Sequence, residues 1–330
     1  MLNLEANTTY NVYIQSICSD NESMLTEVVT FTTAAPVVIP QLLNNLSDLN
    51  IFSGNIEDLI PSVYAFEYDL TTPLFTDYSH KQRLIALPSG ETMQYVDNGL
   101  PAFPDNTVIA KTFYYFNDER DETLGKRIME TRVLIKQSGA WLTGNYKWNA
   151  AQTEATLDTD GSVVAYSYVD NSGDTKNLNY KIPSNTDCFQ CHSNNEQILP
   201  LGPKLRSMHF NNQLQDFIDN NYLSNLTDPS SVSVLPDWTN RDDYSLMERT
   251  RAYFDVNCAH CHQPGGTCDL ISSLDFRYET PFDNTDIYTF RYTILARTQN
   301  YNNGYSMPYT GTTIIHDEGY DLIEEFVDSL

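Results

Sequence analysis

Tyr244-Ser-Leu-Met-Glu-Arg-Thr-Arg-Ala-Tyr-Phe-Asp-Val-Asn-Cys-Ala-His-Cys-His262 reads as a helix from Tyr244 to Cys258 that runs into a Cys-x-x-Cys-His motif. Phe254 stands one turn before Cys258 and shares its helical face. The same motif occurs upstream as Cys188-Phe-Gln-Cys-His192. Two thiols separated by two residues on one helical turn reach the two vinyl groups of one porphyrin, and the adjacent His then lies under the iron. Three fixed side chains make this pattern far more selective than Cys-x-x-Cys, and it occurs twice in a chain with only 6 cysteines. The expectation is two covalently bound c-type haems, one on Cys188 and Cys191 with His192 as iron ligand, the other on Cys258 and Cys261 with His262.

Two other chemistries use the same cysteines. A split zinc centre would gather Cys188, Cys191, Cys258 and Cys261. It leaves both motif histidines without a role and spans a stretch long for a zinc ribbon. A disulfide within each Cys-x-x-Cys is the second rival. Cys18 and Cys268 remain, and their pairing with each other, pairing with a segment outside the chain, and free thiols all stay open.

Working outward, Asp317–Leu330 reads as a helix with an apolar stripe at Tyr320, Ile323, Phe326, Val327 and Leu330, capped by Asp317. Between the helices, Ser306-Met307-Pro308 sits on a loop and is placed to offer the Met307 thioether to the second iron. Such His/Met ligation raises the potential relative to His/His. At the first site, Met208 and His209 are the nearby candidates for the distal ligand, with His80 a further one, and each also has an ordinary structural reading. An open or water-filled sixth position is the remaining option. His260 is expected at the haem edge or surface and His316 beside the terminal helix in solvent. The acidic run 118–122 is expected to be a charged turn without an acid–base role.

The region 244–330 resembles a class I cytochrome c domain in its Phe254-to-Cys258 spacing, the Cys-Ala-His-Cys-His motif, the Met307-Pro308 loop and the terminal helix with Phe326. It departs from that pattern at Thr250, where a small Gly commonly allows close helix crossing, and at Pro264, which follows His262 early. The same resemblance implies that the carbonyl of Pro203, in Gly202-Pro203 after the first motif, orients the proximal His192. More widely, Tyr68-Asp-Leu-Thr-Thr-Pro-Leu-Phe-Thr-Asp-Tyr-Ser-His-Lys81, Lys111-Thr-Phe-Tyr-Tyr115, Glu130-Thr-Arg132, Trp148-Asn149, Leu201-Gly-Pro-Lys204 and Val256 to Gly266 resemble a family of exported bacterial dihaem c-type cytochromes of unsettled function, over residues 45–330. That resemblance implies a β domain joined to two haem sites and an electron-transfer role. Residues from Leu4 to Thr33, with Tyr10 at a tyrosine-corner position, resemble the last two strands of a fibronectin type III domain.

These readings give an α+β multidomain chain. Residues 1–34 form a partial fibronectin-like hairpin, 35–60 a linker and short helix, 61–183 a β domain of short strands and Gly/Asn/Asp turns, 184–243 the first haem-binding segment, and 244–330 the cytochrome-like domain. Strands are expected at Gln82–Pro88, Val108–Phe116, Arg132–Lys136, Ala140–Lys147 and Val163–Tyr168, and a helix around Leu214–Tyr222. The net charge of −25 argues against nucleic acid and anionic membranes as partners. No apolar run is long enough for a membrane span. Without a visible signal peptide, the expectation is either a fragment of a larger multidomain secreted protein, periplasmic or extracellular, or a chain whose start is misassigned. The leading function is electron transfer between a redox donor and an acceptor that the sequence does not name. The alternatives are a peroxidase-like dihaem oxidoreductase with one five-coordinate iron, and a β module that binds a glycan or protein partner with accessory haems.

Overall fold

From Val108 to Phe116, alternate side chains face opposite ways, and both sets are largely apolar or buried. A strand of this kind belongs inside a sheet covered on both faces. The computed structural model, which describes residues 4, 8–15, 26–33 and 40–330, places it there. Two units are defined, Met1–Ile39 and Pro40–Leu330. In the first, β1 (Thr9–Val12) and β2 (Val29–Thr32) pair antiparallel with Tyr10 opposite Phe31, the rings stacked at 5.9 Å. Cys18, the polar turn Ser19–Ser23 and residues 34–39 of the linker lie outside the described residues.

The second unit is built on strands β3 (Ala65–Glu67), β4 (His80–Ala86), β5 (Met93–Gln94), β6 (Val108–Phe116), β7 (Lys126–Gln137), β8 (Ala140–Trp148) and β9 (Ala155–Leu157). All but β5 join one antiparallel sheet in the order β3-β4-β6-β7-β8-β9. Register places Ile85 opposite Ile109 and Ile109 opposite Leu134 on one face, and Leu84, Ala110 and Val133 on the other. Each face therefore has its own core. The second face is covered by residues 46–59, where Leu46, Ile51, Phe52, Ile56 and Leu59 are buried. That stretch, read from sequence as a short helix, forms two 3₁₀ turns, Ser47–Leu49 and Ile56–Asp58. β10 (Ser162–Val169) and β11 (Thr175–Ile182) make a separate ribbon whose Tyr168, Leu178, Tyr180 and Ile182 pack on Phe113, Tyr115 and Met129.

After the ribbon come α1 (Asn185–His192), the short strands β12 (Ser193–Asn194) and β13 (Gln197–Ile198), α2 (Leu205–Met208), α3 (Gln213–Asp219), β14 (Leu223–Ser224), which pairs with β5, and helices α4 (Leu246–Asn257), α5 (Ile287–Thr298) and α6 (Asp317–Ser329). Leu205, Met208, Leu214, Phe217 and Leu223 complete the first core by packing with Ile85, Ile109 and Leu134. Residues 184–243 thus share a core with the sheet.

The strong apolar periodicities located α4 and α6 within two residues. The sequence places a loop where α5 stands, because its aromatic residues are spread around the axis: Tyr288 and Tyr292 are exposed while Ile287 and Ile294 are buried. β11 was missed for a related reason, since polar residues alternate with only Leu178, Tyr180 and Ile182. Asp317 is the first helical residue of α6 rather than its cap; His316 holds the cap position, and its side chain makes no capping hydrogen bond to the helix. α4 and α6 pack through Phe254 and Phe326, their rings 6.4 Å apart. The small residue at their approach is Gly319 on α6, where an added Cβ would fall 2.2 Å from the Tyr253 hydroxyl. Thr250 on α4 remains acceptable because its hydroxyl donates to Leu246 O at 2.8 Å.

Candidate cofactor site

α1 is short and depends on its start. Ser184 Oγ accepts from Asp187 N at 3.2 Å, and Asp187 Oδ2 accepts from Ser184 N at 3.1 Å, a reciprocal capping box. One turn in, Cys188 and Cys191 fall on one face of the helix, and His192 ends it. All three line a cavity of about 270 Å³. The chain then turns back through β12 and β13, with Ser193 opposite Ile198. That register brings Leu199 onto His192 twice: Leu199 N donates to His192 O at 2.8 Å, and His192 Nδ1 lies 2.7 Å from Leu199 O. A carbonyl only accepts, so Nδ1 carries the proton and Nε2 keeps its lone pair. Burial, reinforced by Lys111, pushes the ring down to about 3, which keeps it neutral.

The expected orienting carbonyl was that of Pro203. The hairpin supplies Leu199 instead, because a two-residue pairing returns the chain to His192 before Pro203 is reached. Pro203 is buried, while its neighbours Leu201 and Gly202 line the cavity.

The facing wall is the sheet. Arg83 on β4 stands opposite Lys111 on β6, Lys111 opposite Arg132 on β7, and Arg132 opposite Asn145 on β8. Lys81 lies two residues before Arg83, on the same face. All four cations line the cavity. Arg83 meets Asp69 at 2.7 Å and Arg132 meets Glu130 at 2.6 Å. Glu130 also accepts from the Tyr180 hydroxyl at 2.7 Å. Lys81 donates to Leu74 O at 2.8 Å and Lys111 to Leu201 O at 2.9 Å. Arg132 lies over the Phe113 ring at 4.3 Å, and its Nε is buried without a partner. Burial first, then the neighbouring arginines, pulls Lys111 down to about 7 and Lys81 well below its ordinary range. Asn145 closes the row; its Nδ2 donates to Pro183 O and stands 3.5 Å from Cys188 Sγ.

α4 repeats the capping device, with Ser245 Oγ accepting from Glu248 N at 3.3 Å and Glu248 Oε2 from Ser245 N at 2.9 Å. At its end, Cys258 O accepts from Cys261 N at 3.2 Å and His262 N at 3.0 Å. Cys258 and Met307 line one cleft of about 30 Å³ with Tyr253, Tyr301 and Ile323. His262 is outside that lining: its ring packs edge-on against Phe276 at 5.5 Å, and its Nδ1 is buried without a partner. The structure therefore brings Cys258 and Met307 together and leaves His262 apart.

The two motifs meet. Gln190 O accepts from Thr267 Oγ1 at 2.9 Å and from Cys261 Sγ at 3.6 Å, and Asn195 N donates to Gly265 O at 2.8 Å. Asn194 Nδ2 donates to Pro264 O at 3.0 Å, which gives the early proline a place in this contact. Ligand atoms of Cys191, His260 and Cys261 lie within 4.8 Å of one another. His260, expected at a haem edge or the surface, lines the first cavity with a buried, unpartnered Nδ1. Cys188 and Cys258 stay out of that group, so the four motif cysteines do not converge as a zinc centre requires. All five described cysteines are free, Cys268 among them.

The other distal candidates are engaged elsewhere. Met208 is fully buried in the first core, and His209 Nδ1 lies 2.8 Å from Val232 O. His80 Nε2 lies 2.7 Å from Glu119 and its ring stacks on Tyr114. None of the three lines the cavity. His316, expected in solvent, stacks on Phe75 at 4.1 Å and meets the Tyr253 hydroxyl at 3.0 Å.

Sequence reading missed Leu199 and the cation row, and named His260 without placing it in the first cavity. The row left a trace: Lys81, Arg83, Lys111 and Arg132 alternate along their strands with the same period as the buried Ile85, Ile109, Phe113 and Leu134. Comparison with family models, characterised proteins and solved structures gave no match. Among the described residues, no helix is long and apolar enough to cross a membrane.

Proposed function

We propose that this chain is a dihaem c-type cytochrome that passes electrons between a donor and an acceptor outside the cytoplasm. The observation that carries this reading is the convergence of Cys188, Cys191 and His192 from one helix on one cavity, with the His192 ring fixed by Leu199 O. The donor set suits the group. Two thiols on one helical face suit thioether attachment, and a neutral imidazole held at Nδ1 presents Nε2 as a ligand. When bound, the haem supplies one-electron exchange. The chain's own part is to hold His192 in one tautomer, to bury the pocket with Leu70, Phe75 and Phe113, and to place Asn145 beside Cys188.

At the second motif the donors fit in chemistry, with Cys258, Cys261, His262 and Met307 present, while the cleft between Cys258 and Met307 is small. A second reading, a dihaem oxidoreductase with one open iron face, is favoured by the absence of Met208, His209 and His80 from the first cavity.

The test is expression of the full chain with a c-type maturation system, followed by haem stoichiometry and spectra. Two covalent haems are expected. Cys188→Ala with Cys191→Ala removes one, Cys258→Ala with Cys261→Ala removes the other, and Met307→Ala abolishes a sulfur-to-iron band. A high-spin haem that reacts with peroxide selects the oxidoreductase. No covalent haem under active maturation, with zinc bound instead, defeats the proposal.

A further inference from the structure

Cations placed directly opposite one another across a sheet repel, and strands ordinarily avoid the arrangement. Here Arg83, Lys111 and Arg132 occupy one rung across three adjacent strands, and Lys81 stands on the same face. The row lies in a protein of net charge −25, where free carboxylates to neutralise it are abundant. Yet among the described residues only Asp69 and Glu130 form ion pairs with it, and Asp77 acts on Lys81 without pairing with it. Asp187 and Asp255 also touch the cavity, but Asp187 is held by Ser184 and Lys181, and Asp255 by Lys204 and Arg206. Lys81 and Lys111 have carbonyl oxygens as partners, which satisfy donors without cancelling charge. Arg132 Nε, buried and unpartnered, adds an unused donor to the same wall. A row that violates a local rule and is matched by carboxylates only at Arg83 and Arg132 is the kind of exception expected at a functional site.

We infer that the rung Arg83–Lys111–Arg132, with Lys81, is a receptor for a pair of carboxylates, and that the occupants are the two propionates of the porphyrin attached at Cys188 and Cys191. The inference rests on the haem reading above. The placement is consistent with it, because the row runs across the cavity from Arg132, whose cross-strand partner Asn145 stands 3.5 Å from Cys188 Sγ, through Lys111 to Arg83 and Lys81 two strands away. The shared chemistry, a carboxylate on a desolvated cation row, would also suit a free small oxyanion. The propionates are favoured because they arrive tethered at high effective concentration.

A further consequence is electrostatic. Positive charge beside a haem favours its reduced state, so the row raises the potential of the first site. The experiment compares the loaded full chain with Lys111→Met and Lys81→Met. Both residues bond only to carbonyl oxygens, so neither change strands a carboxylate. The first-site wave is identified as the one lost in the Cys188→Ala/Cys191→Ala chain. Both variants are expected to keep two haems. The first-site potential should fall by an amount equal to about a tenfold change in the reduced-to-oxidised ratio, ~59 mV for one electron. Succinate and sulfate should not perturb the loaded wild type. An unchanged first-site potential in both variants, with haem attached, overturns the inference. So does millimolar succinate or sulfate binding to the loaded wild type that Lys111→Met abolishes, since that places a free anion on the row. A wild-type chain that carries no haem at all sinks the underlying reading, and this inference with it.

Discussion

At the scale of single residues, the first motif is organised by small, local devices. Ser184 and Asp187 settle where α1 begins, and with it the phase at which Cys188, Cys191 and His192 emerge. Replacing Ser184 with Ala removes the acceptor for Asp187 N and should lower stability by about 1 kcal/mol, with Thr restoring most of it. The measurement is the urea midpoint of the full chain, and an unchanged midpoint for Ser184→Ala would show that the cap is dispensable. The capping box could have been read from Ser184-Asn-Thr-Asp187, since the acceptor and the reciprocal acid are three apart. The Leu199 hydrogen bond could not. It depends on the register of β12 on β13, and two-residue strands carry no periodicity.

At the scale of elements, α4 is fastened to the segment around α2 by a buried charge cluster. Asp255 accepts from Lys204 at 3.0 Å, from Arg206 at 2.7 Å and from Tyr278 N at 3.1 Å, while Arg206 also reaches Glu279 at 2.7 Å. Burial alone would raise the Asp255 carboxyl, but Lys204 and Arg206 outweigh it and hold it below the ordinary range. Asp255→Asn leaves the buried Arg206 and the half-buried Lys204 without their shared carboxylate and should cost about 3 kcal/mol, read as a lower thermal midpoint. A loss under about 0.5 kcal/mol would count against the cluster as a fastening. Because the folded value lies below the unfolded one of about 3.9, the Asp255 contribution is present above that pH and is lost as pH falls through the folded value. The wild type should therefore lose stability below about pH 4 more steeply than Asp255→Asn. Asp77 acts in the opposite sense. Burial raises its carboxyl despite donors from Thr313 and Ile314, so its contribution is present below about pH 3.9 and fades as pH rises through the raised value.

Across the whole molecule, charge is divided between an acidic exterior and a cationic cavity. A net charge of −25 steers cations toward the surface and repels anions at a distance. Loaded chain should accept electrons faster from a cationic ruthenium hexaammine reductant than from an anionic reductant of matched driving force. The advantage should shrink as salt rises from about 0.01 M to about 0.15 M, where the Debye length falls to about 8 Å. Equal rates at both ionic strengths would show that the surface charge does not steer encounter. The cavity escapes that average because alternation along three strands turns Lys81, Arg83, Lys111 and Arg132 to one face.

The sequence by itself determined what depends on near neighbours. The two Cys-x-x-Cys-His motifs, the helices that carry Phe254 and Phe326, and the long strands around Val108–Phe116 and Ala140–Trp148 all follow from spacing within one segment. Helix α5 and strand β11 did not follow, because what buries them lies on other elements and leaves no clean period along the chain. Tertiary structure alone decided which carbonyl holds His192, that His260 faces the first cavity, and that Met208 belongs to a core. It alone joined four cations from three strands into one wall. These depend on register and on contacts between residues far apart in sequence, and one residue of slip in β4 or β7 would turn the row toward the opposite face.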